Sequence, residues 1–311
     1  MSAAPLPGAS LWGAVPSDTP PPGFRQLDRI SWSAIGRGRA PAGAFPPAGS
    51  PVTVREWSDV YVPLAHVISL HLDSHLDLRR RLGAAGLHRV GNGPFIVTIA
   101  GSVAGGKTTC AGAVAALIAA RPDRPSVEIL STDGFLHPNA VLAPRGLVMR
   151  KGFPETYDQG LITRTLGALA EGEPSVTIPS YSHSVYDIAG DPQVLRKPDV
   201  VLLEGVNTLQ PGLAEYASMR IYLDADEPDL RRWYVDRFLG LIDTARTDSA
   251  SFFTQWTSLS PDAARAQAVA VWEGVNLPNL TDHILATRWR ADIVLHKAAD
   301  HAVDRVAVRA K

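Results

Sequence analysis

Residues Gly101-Ser102-Val103-Ala104-Gly105-Gly106-Lys107-Thr108 spell GxxxxGK followed by a hydroxyl residue, and few folds can house that run. Each part has a physical task. The glycines let the backbone curl until successive N–H groups point inward at phosphate oxygens. A helix starting at Thr108 adds the positive end of its dipole. Lys107 is placed to reach the β- and γ-phosphates, and the Thr108 hydroxyl to ligate Mg²⁺. The flanks agree, since residues 95–100 read FIVTIA, a buried strand, and residues 108–120 read as the helix behind it. A glycine turn with no ligand is the ordinary alternative. It is set aside because a strand before and a helix after are the context the motif requires. The expectation is a nucleotide site that extends to Thr109.

Around this loop, short apolar runs alternate with helical patterns. Residues 127–131, 200–203, 219–223 and 293–295 read as further strands; 57–82, 229–242 and 261–273 read as helices. Such alternation implies right-handed crossovers and a mostly parallel sheet covered on both faces, an α/β three-layer sandwich of the P-loop NTPase type. The chain has 311 residues, 45% hydrophobic and 20% charged, enough for a real core in an ordinary globular protein. With a net charge of −1, nothing global argues for nucleic acid or an anionic membrane surface, and neither is expected as a partner. A single cysteine, Cys110, excludes an internal disulfide and fits a reducing compartment. With no apolar run near the ~18 residues of a membrane span and no signal-type start, the expected location is the cytoplasm. Residues 1–52 are dense in Pro, Gly and Ala and are expected to be loop or partly disordered, with one helix-like island at 27–32. Residues 53–311 are then expected to form one domain.

In a parallel sheet, functional groups gather beyond the carboxyl ends of the strands. Asp133 follows the 127–131 strand and Glu204 closes the 200–203 strand, so both are expected to face the phosphate loop. A phosphotransferase needs one carboxylate to orient and deprotonate the attacking hydroxyl, and another near the metal. Asp133 is assigned the first role and Glu204 the second. A turn cap before Gly134 and a structural hydrogen bond are the respective alternatives. Charge spread over the transferred group also calls for cations besides Lys107. The 229–242 helix offers Arg231, Arg232 and Arg237, the last one turn past Tyr234. Periodicity alone leaves Arg237 a surface arginine.

Two further stretches, 151–158 (KGFPETYD) and 179–187 (PSYSHSVYD), are polar and aromatic, with Pro and Gly limiting helix. They suit loops lining a pocket for a small polar metabolite. His183 taken alone reads as structural.

With the ordered segments IAGSVAGGKTT, TDGFLHPN, RKGFPETYD, YSHSVYD, LLEGVN, WYVDRF, VNLPNL and DHAV, the chain resembles the bacterial-type pantothenate kinase family. These P-loop kinases phosphorylate pantothenate in the first step of coenzyme A synthesis. The resemblance runs from about residue 60 to the C-terminus, with a weaker echo at LDRISW. It implies ATP and Mg²⁺ at Lys107 and Thr108, and Asp133 as the base beside the substrate hydroxyl. It implies that Tyr181, His183, Tyr234, Arg237 and Asn276 contact pantothenate, Arg237 also serving the phosphoryl group. Tyr186 and Phe253 fall near the pantetheine tail of bound coenzyme A, and His301 beside the adenine. It further implies a homodimer inhibited by coenzyme A in competition with ATP.

Departures from the family pattern shape what to expect. Gly105 and Thr108 stand where relatives often carry Val and Ser, and both suit the same geometry. Gly112 stands where many relatives carry an arginine that meets coenzyme A phosphates, so weakened feedback is expected. Leu241 replaces a frequent aromatic or long side chain near the substrate. The Pro-rich N-terminus replaces a helical acidic stretch that helps cover the adenine, so nucleotide affinity or selectivity can differ. Alternatives are a uridine or sugar-phosphate kinase of the same fold, which would lack YSHSVYD and VNLPNL, and a catalytically inactive nucleotide-binding relative. The presence of Lys107, Thr108, Asp133 and Arg237 opposes the latter. A GTPase-like switch is rejected because the nearest NKxD-like string, Arg196-Lys197-Pro198-Asp199, precedes its strand.

Overall fold

The computed structural model describes residues 23–87 and 92–310. In chain order the strands are β1 (Phe24–Asp28), β2 (Phe95–Gly101), β3 (Val127–Ser131), β4 (Val176–Ile178), β5 (Tyr181–Ser182) and β6 (Asp187–Ile188). They continue with β7 (Gln193–Leu195), β8 (Val200–Glu204), β9 (Met219–Ala225), β10 (Ile293–Lys297) and β11 (Val303–Arg309). One sheet has the order β1-β11-β10-β9-β2-β8-β3; β4 pairs with β7 and β5 with β6 in two small antiparallel ribbons. Strands β3, β8, β2, β9 and β10 are mutually parallel, and β11 and β1 add an antiparallel edge. The five strands expected from the sequence are the parallel ones, and the α/β P-loop architecture is present.

Strand β2 shows why the sheet forms. Its β-branched run Ile96-Val97-Thr98-Ile99 suits a pleated backbone. The whole strand is buried, as a central parallel strand covered on both faces must be. Phe95, Val97 and Ile99 pack into one layer and Ile96 into the other, and β8 and β9 divide in the same way. On one face lie Leu64, Ile68 and Leu72 of the helix Val62–Ala84, with Val114, Leu117 and Ile118 of the helix Lys107–Ala119. The other face is covered by the helix Gln159–Glu171, through Ile162, Leu166 and Leu169, and by Leu230 and Trp233 of the helix Glu227–Ala245. The last of these continues into a separate aromatic cluster with the helix Pro261–Val271.

The long helix expected at 57–82 spans more and is not uniform. A helical turn at Val54–Glu56 leads into a π-type turn, Trp57–Tyr61, ahead of Val62–Ala84. Pro63, in its first turn, has no N–H to give the carbonyl four residues back, so the ladder widens just there.

Of the proline-rich segment 1–52, residues 1–22 lie outside the described residues. Residues 24–28 pair with β11 from Phe24↔Arg309 to Asp28↔Arg305, a strand that the sequence did not announce. The island at 27–32 is split: Asp28 ends the strand and caps the helix Arg29–Ile35, its carboxylate accepting from Ser31 N at 2.7 Å. Trp32 of that helix is buried and donates to Val60 O at 3.2 Å, which ties the segment to the long helix.

Candidate active site

The glycine-rich loop leaves β2 and enters the helix Lys107–Ala119. Gly106 caps that helix at φ +88°, and a Cβ there would lie 2.8 Å from Lys297 Nζ. Ala104 holds φ +61°, and Gly105 N donates to Ser102 O at 3.2 Å. These left-handed steps turn the N–H groups into a concave cradle. Ser102 is buried, and Val103 and Ala104 rest partly buried on the core.

Register brings the charged groups to this cradle. Glu204 is level with Ile99 on β2 and with Ser131 on β3, so Glu204 and Asp133 both arrive at the mouth of the loop. Thr108 Oγ1 donates to Glu204 Oε1 at 3.1 Å. Lys107 Nζ donates to Ser102 O at 2.8 Å. Desolvation lowers the Lys107 pKa; Glu204 and then Asp133 oppose the shift, and Arg237 adds to it. Among the described residues no group of three or more His, Cys, Asp or Glu side chains forms a metal cage. One hydroxyl beside one carboxylate instead suits a hard cation that keeps water and takes its other ligands from phosphate. Thr109 follows, partly buried, on the same first turn.

Asp133 lies in the 3₁₀ turn Thr132–Phe135, where its N–H donates to Ser131 Oγ at 3.3 Å. Its Oδ2 is 3.7 Å from His183 Nε2. Burial pushes the His183 pKa down, with the Asp133 charge opposing, so the ring is mainly neutral at neutral pH. Tyr181 stands edge-on to His183 at 5.3 Å and to Tyr186 at 6.3 Å. Tyr186 takes φ +57°, a costly conformation, and is fastened from two sides. Its carbonyl accepts from Lys151 Nζ and, at 3.1 Å, from Asn139 Nδ2. The Lys151 ammonium also sits 5.1 Å from the Tyr181 ring centre and 4.5 Å from that of Tyr186. Burial lowers its pKa to about 8, against the pull of Asp187 and Asp133.

The opposite wall comes from the helix Glu227–Ala245 and the π-type turn Trp272–Asn276. Burial raises the Tyr234 phenol, while Asn276 and then Arg237 hold it down. Asn276 lies close enough to the Tyr234 hydroxyl to lower its pKa, and its Nδ2 is buried without a well-formed hydrogen bond. Arg237 is exposed, yet its charge is felt by Lys107 and His183, and Tyr186 feels Tyr234. The two walls therefore face one space, with Asp133 and Lys107 at its floor. Phe253 stands one layer back, buried with Phe238 and Trp256, and its neighbour Phe252 stacks on Tyr186 at 4.5 Å. Leu241 also packs in that cluster. His301, at the β10–β11 turn, stacks on Trp233 with ring centres 4.0 Å apart.

Lys151, Asn139 and Lys297 are at the site and were not singled out from the sequence. Lys151 opens the polar stretch 151–158, but nothing local distinguishes it from a solvated lysine. Lys297 ends an apolar strand, and a lysine at a strand end ordinarily faces water.

A parallel sheet with a phosphate loop, a Thr–Glu pair and a carboxylate at the adjacent strand end defines a P-loop phosphotransferase. A family model described as the phosphoribulokinase / uridine kinase family matches residues 96–233. A pantothenate kinase of Sorangium cellulosum is 44% identical over 266 residues, covering 83% of this chain and 86% of the relative. One from Brucella ovis is 38% identical over 314 residues, covering 97% and 93%. The chain belongs to the pantothenate kinase family. Among solved structures, D-glycerate 3-kinase from Cryptococcus neoformans shares the fold at 11% identity, with a TM-score of 0.51 over 77% of this chain and 97% of its own.

Proposed function

We propose that this chain transfers the γ-phosphoryl group of ATP to the primary hydroxyl of pantothenate, giving 4'-phosphopantothenate and ADP. The observation that carries the reading is Asp133, at the end of β3, sharing one electrostatic space with Lys107, Glu204 and Arg237 beneath a wall of Tyr181, His183 and Tyr186. The family supports pantothenate over uridine or a sugar phosphate.

The roles follow from position. The loop N–H groups and Lys107 hold the β- and γ-phosphates in line with the acceptor. Asp133 accepts the hydroxyl proton as the new P–O bond forms and the bond to the ADP oxygen breaks. Neutral His183, beside Asp133, keeps a ring nitrogen free to donate to or accept from the substrate without adding charge. Arg237 and Lys107 balance the charge on the three phosphoryl oxygens in flight. Asn276 Nδ2 and the Tyr234 hydroxyl offer neutral hydrogen bonds to the carboxylate or amide of pantothenate. Thr108 and Glu204 would hold Mg²⁺, which neutralises the phosphate oxygens when bound. Coenzyme A as inhibitor and a homodimer rest on the family resemblance. A Cβ on Gly112 would meet nothing within 4 Å, so the glycine is not required by the helix packing, and the lack of an arginine there is expected to weaken the coenzyme A contact.

The test is ADP release with ATP and Mg²⁺ on purified protein, comparing pantothenate, uridine and a blank. Turnover with pantothenate alone is expected. Turnover with uridine, or none above the blank, overturns the assignment.

A further inference from the structure

Lys297 is a buried lysine that the phosphate-transfer scheme does not use. It is the last residue of β10, where pairing with β11 slips between His296 and Lys297, and only 8% of its surface is exposed. The slip directs the chain into the turn 298–302, closed by Ala298 N to Ala302 O at 2.8 Å and His301 N to Ala298 O at 2.9 Å. Trp233 Nε1 donates into the same turn at Ala299 O, 3.2 Å away. The ammonium is aimed at the outer side of the phosphate loop. Lys297 Nζ donates to Gly105 O at 3.3 Å and would touch any Cβ on Gly106 at 2.8 Å. The Trp233 ring centre is 5.5 Å away.

What Lys297 lacks is equally informative. Among the described residues it forms no ion pair within 4 Å of a carboxylate, and Gly105 O takes one of its three protons. The ionisable groups around it are the buried Cys110 thiol and Glu56, which is committed to Arg29, with His301 beyond. Around His301 lie Arg232, Asp300 and Asp229, the last of them paired with Arg232. Burial lowers the Lys297 pKa accordingly. An ammonium with so little compensation destabilises the empty protein, because desolvation is not repaid.

We infer that Lys297 is a positioning residue for nucleotide binding: it pins the Gly105 carbonyl outward, which turns the loop N–H groups inward, and its charge is compensated by the polyphosphate that the loop receives. This rests on the reading of the loop as an ATP site. Lys297 reaches the phosphates through the loop backbone, while Lys107 acts from within it.

The test uses Lys297→Met and Lys297→Arg in the full chain, with ADP and ATP as probes. Lys297→Met is expected to melt at or above the wild-type temperature without nucleotide. It is also expected to lose most of the ADP-induced rise in Tm and to raise the KM for ATP about tenfold or more, with the KM for pantothenate unchanged. Lys297→Arg, which keeps the charge and a donor, restores ADP affinity in large part. A Lys297→Met protein that melts lower and binds ADP as tightly as the wild type overturns the inference, because the lysine is then structural. If Lys297→Met does not fold, Lys297→Gln decides: it is expected to lose most of the ADP-induced rise in Tm, and a wild-type ADP response in that variant overturns the inference. Wild-type protein that binds no nucleotide defeats the ATP-site reading itself, a result separate from either.

Discussion

Gly134→Ala places one methyl group between the two segments proposed to carry the acceptor chemistry. A Cβ at Gly134 lies 2.3 Å from Pro179 O, where ordinary contact begins at 3.4 Å, so about 1 Å of separation must be found. The turn that holds Asp133 is tied in place. His137 N donates to Thr156 O at 2.9 Å, Asp158 N donates to Phe135 O at 2.8 Å, and Phe135 is buried in the core. Pro179 is tied as well, with Ile178 buried and Ser180 Oγ donating to Asp191 O at 2.6 Å, so whichever side yields, Asp133 shifts against Tyr181 and His183. A misplacement of about 1 Å at a reacting pair costs on the order of a hundredfold in rate. The expected result is kcat/KM for pantothenate lower by about 10²-fold, with ADP affinity unchanged because the phosphate loop is not displaced. Overpacking of this kind also costs about 1–3 kcal/mol of stability. The assay is ADP release against pantothenate concentration, with ADP binding followed by calorimetry. Gly112→Ala is the control, since nothing lies within 4 Å of its added methyl and the helix interior gains from alanine. Turnover within about threefold of wild type in Gly134→Ala would refute the reasoning, since the walls would then tolerate 1 Å of slack.

Further substitutions probe the other roles. Asp133→Asn should lower kcat by about 10²–10⁴-fold while ADP binding, read by calorimetry, stays within a few-fold; equal losses in both would remove Asp133 as base. Asn276→Leu deletes a part-buried amide whose Nδ2 makes no well-formed hydrogen bond, so the free protein should lose little stability while the KM for pantothenate rises by about tenfold or more. A drop of many degrees in Tm would make Asn276 structural instead. Lys151 is cationic below its depressed pKa of about 8, so pantothenate turnover should decline as pH rises through that value. Lys151→Arg should carry the decline to higher pH, and an unmoved alkaline limb would assign it to another group. The same shift acts on folding with opposite sign: the unfolded lysine holds its proton up to its ordinary pKa, so this residue's contribution to stability rises with pH above about 8. Gly112→Arg should lower the concentration of coenzyme A that halves activity at fixed ATP; no change would detach that position from the inhibitor.

Much of this protein is legible in its sequence because local chemistry is enough to specify it. The run from Gly101 to Thr108 needs the turn it makes whatever surrounds it, and the β-branched strand before it can only be buried. Asp133 and Glu204 could be placed because side chains just past parallel strands share one edge of the sheet. Strand β1 was missed because Phe24–Asp28 is held by pairing with β11, nearly the whole chain away, and not by its own alternation. Lys151, Asn139 and Lys297 were missed for a related reason. Each is an unremarkable polar residue until the fold sets it against a strained carbonyl at Tyr186 or a buried one at Gly105. Short-range geometry determines the phosphate cradle; only the sheet order and the approach of distant loops decide which charges are desolvated around it, because desolvation depends on every neighbour and not on the chain alone.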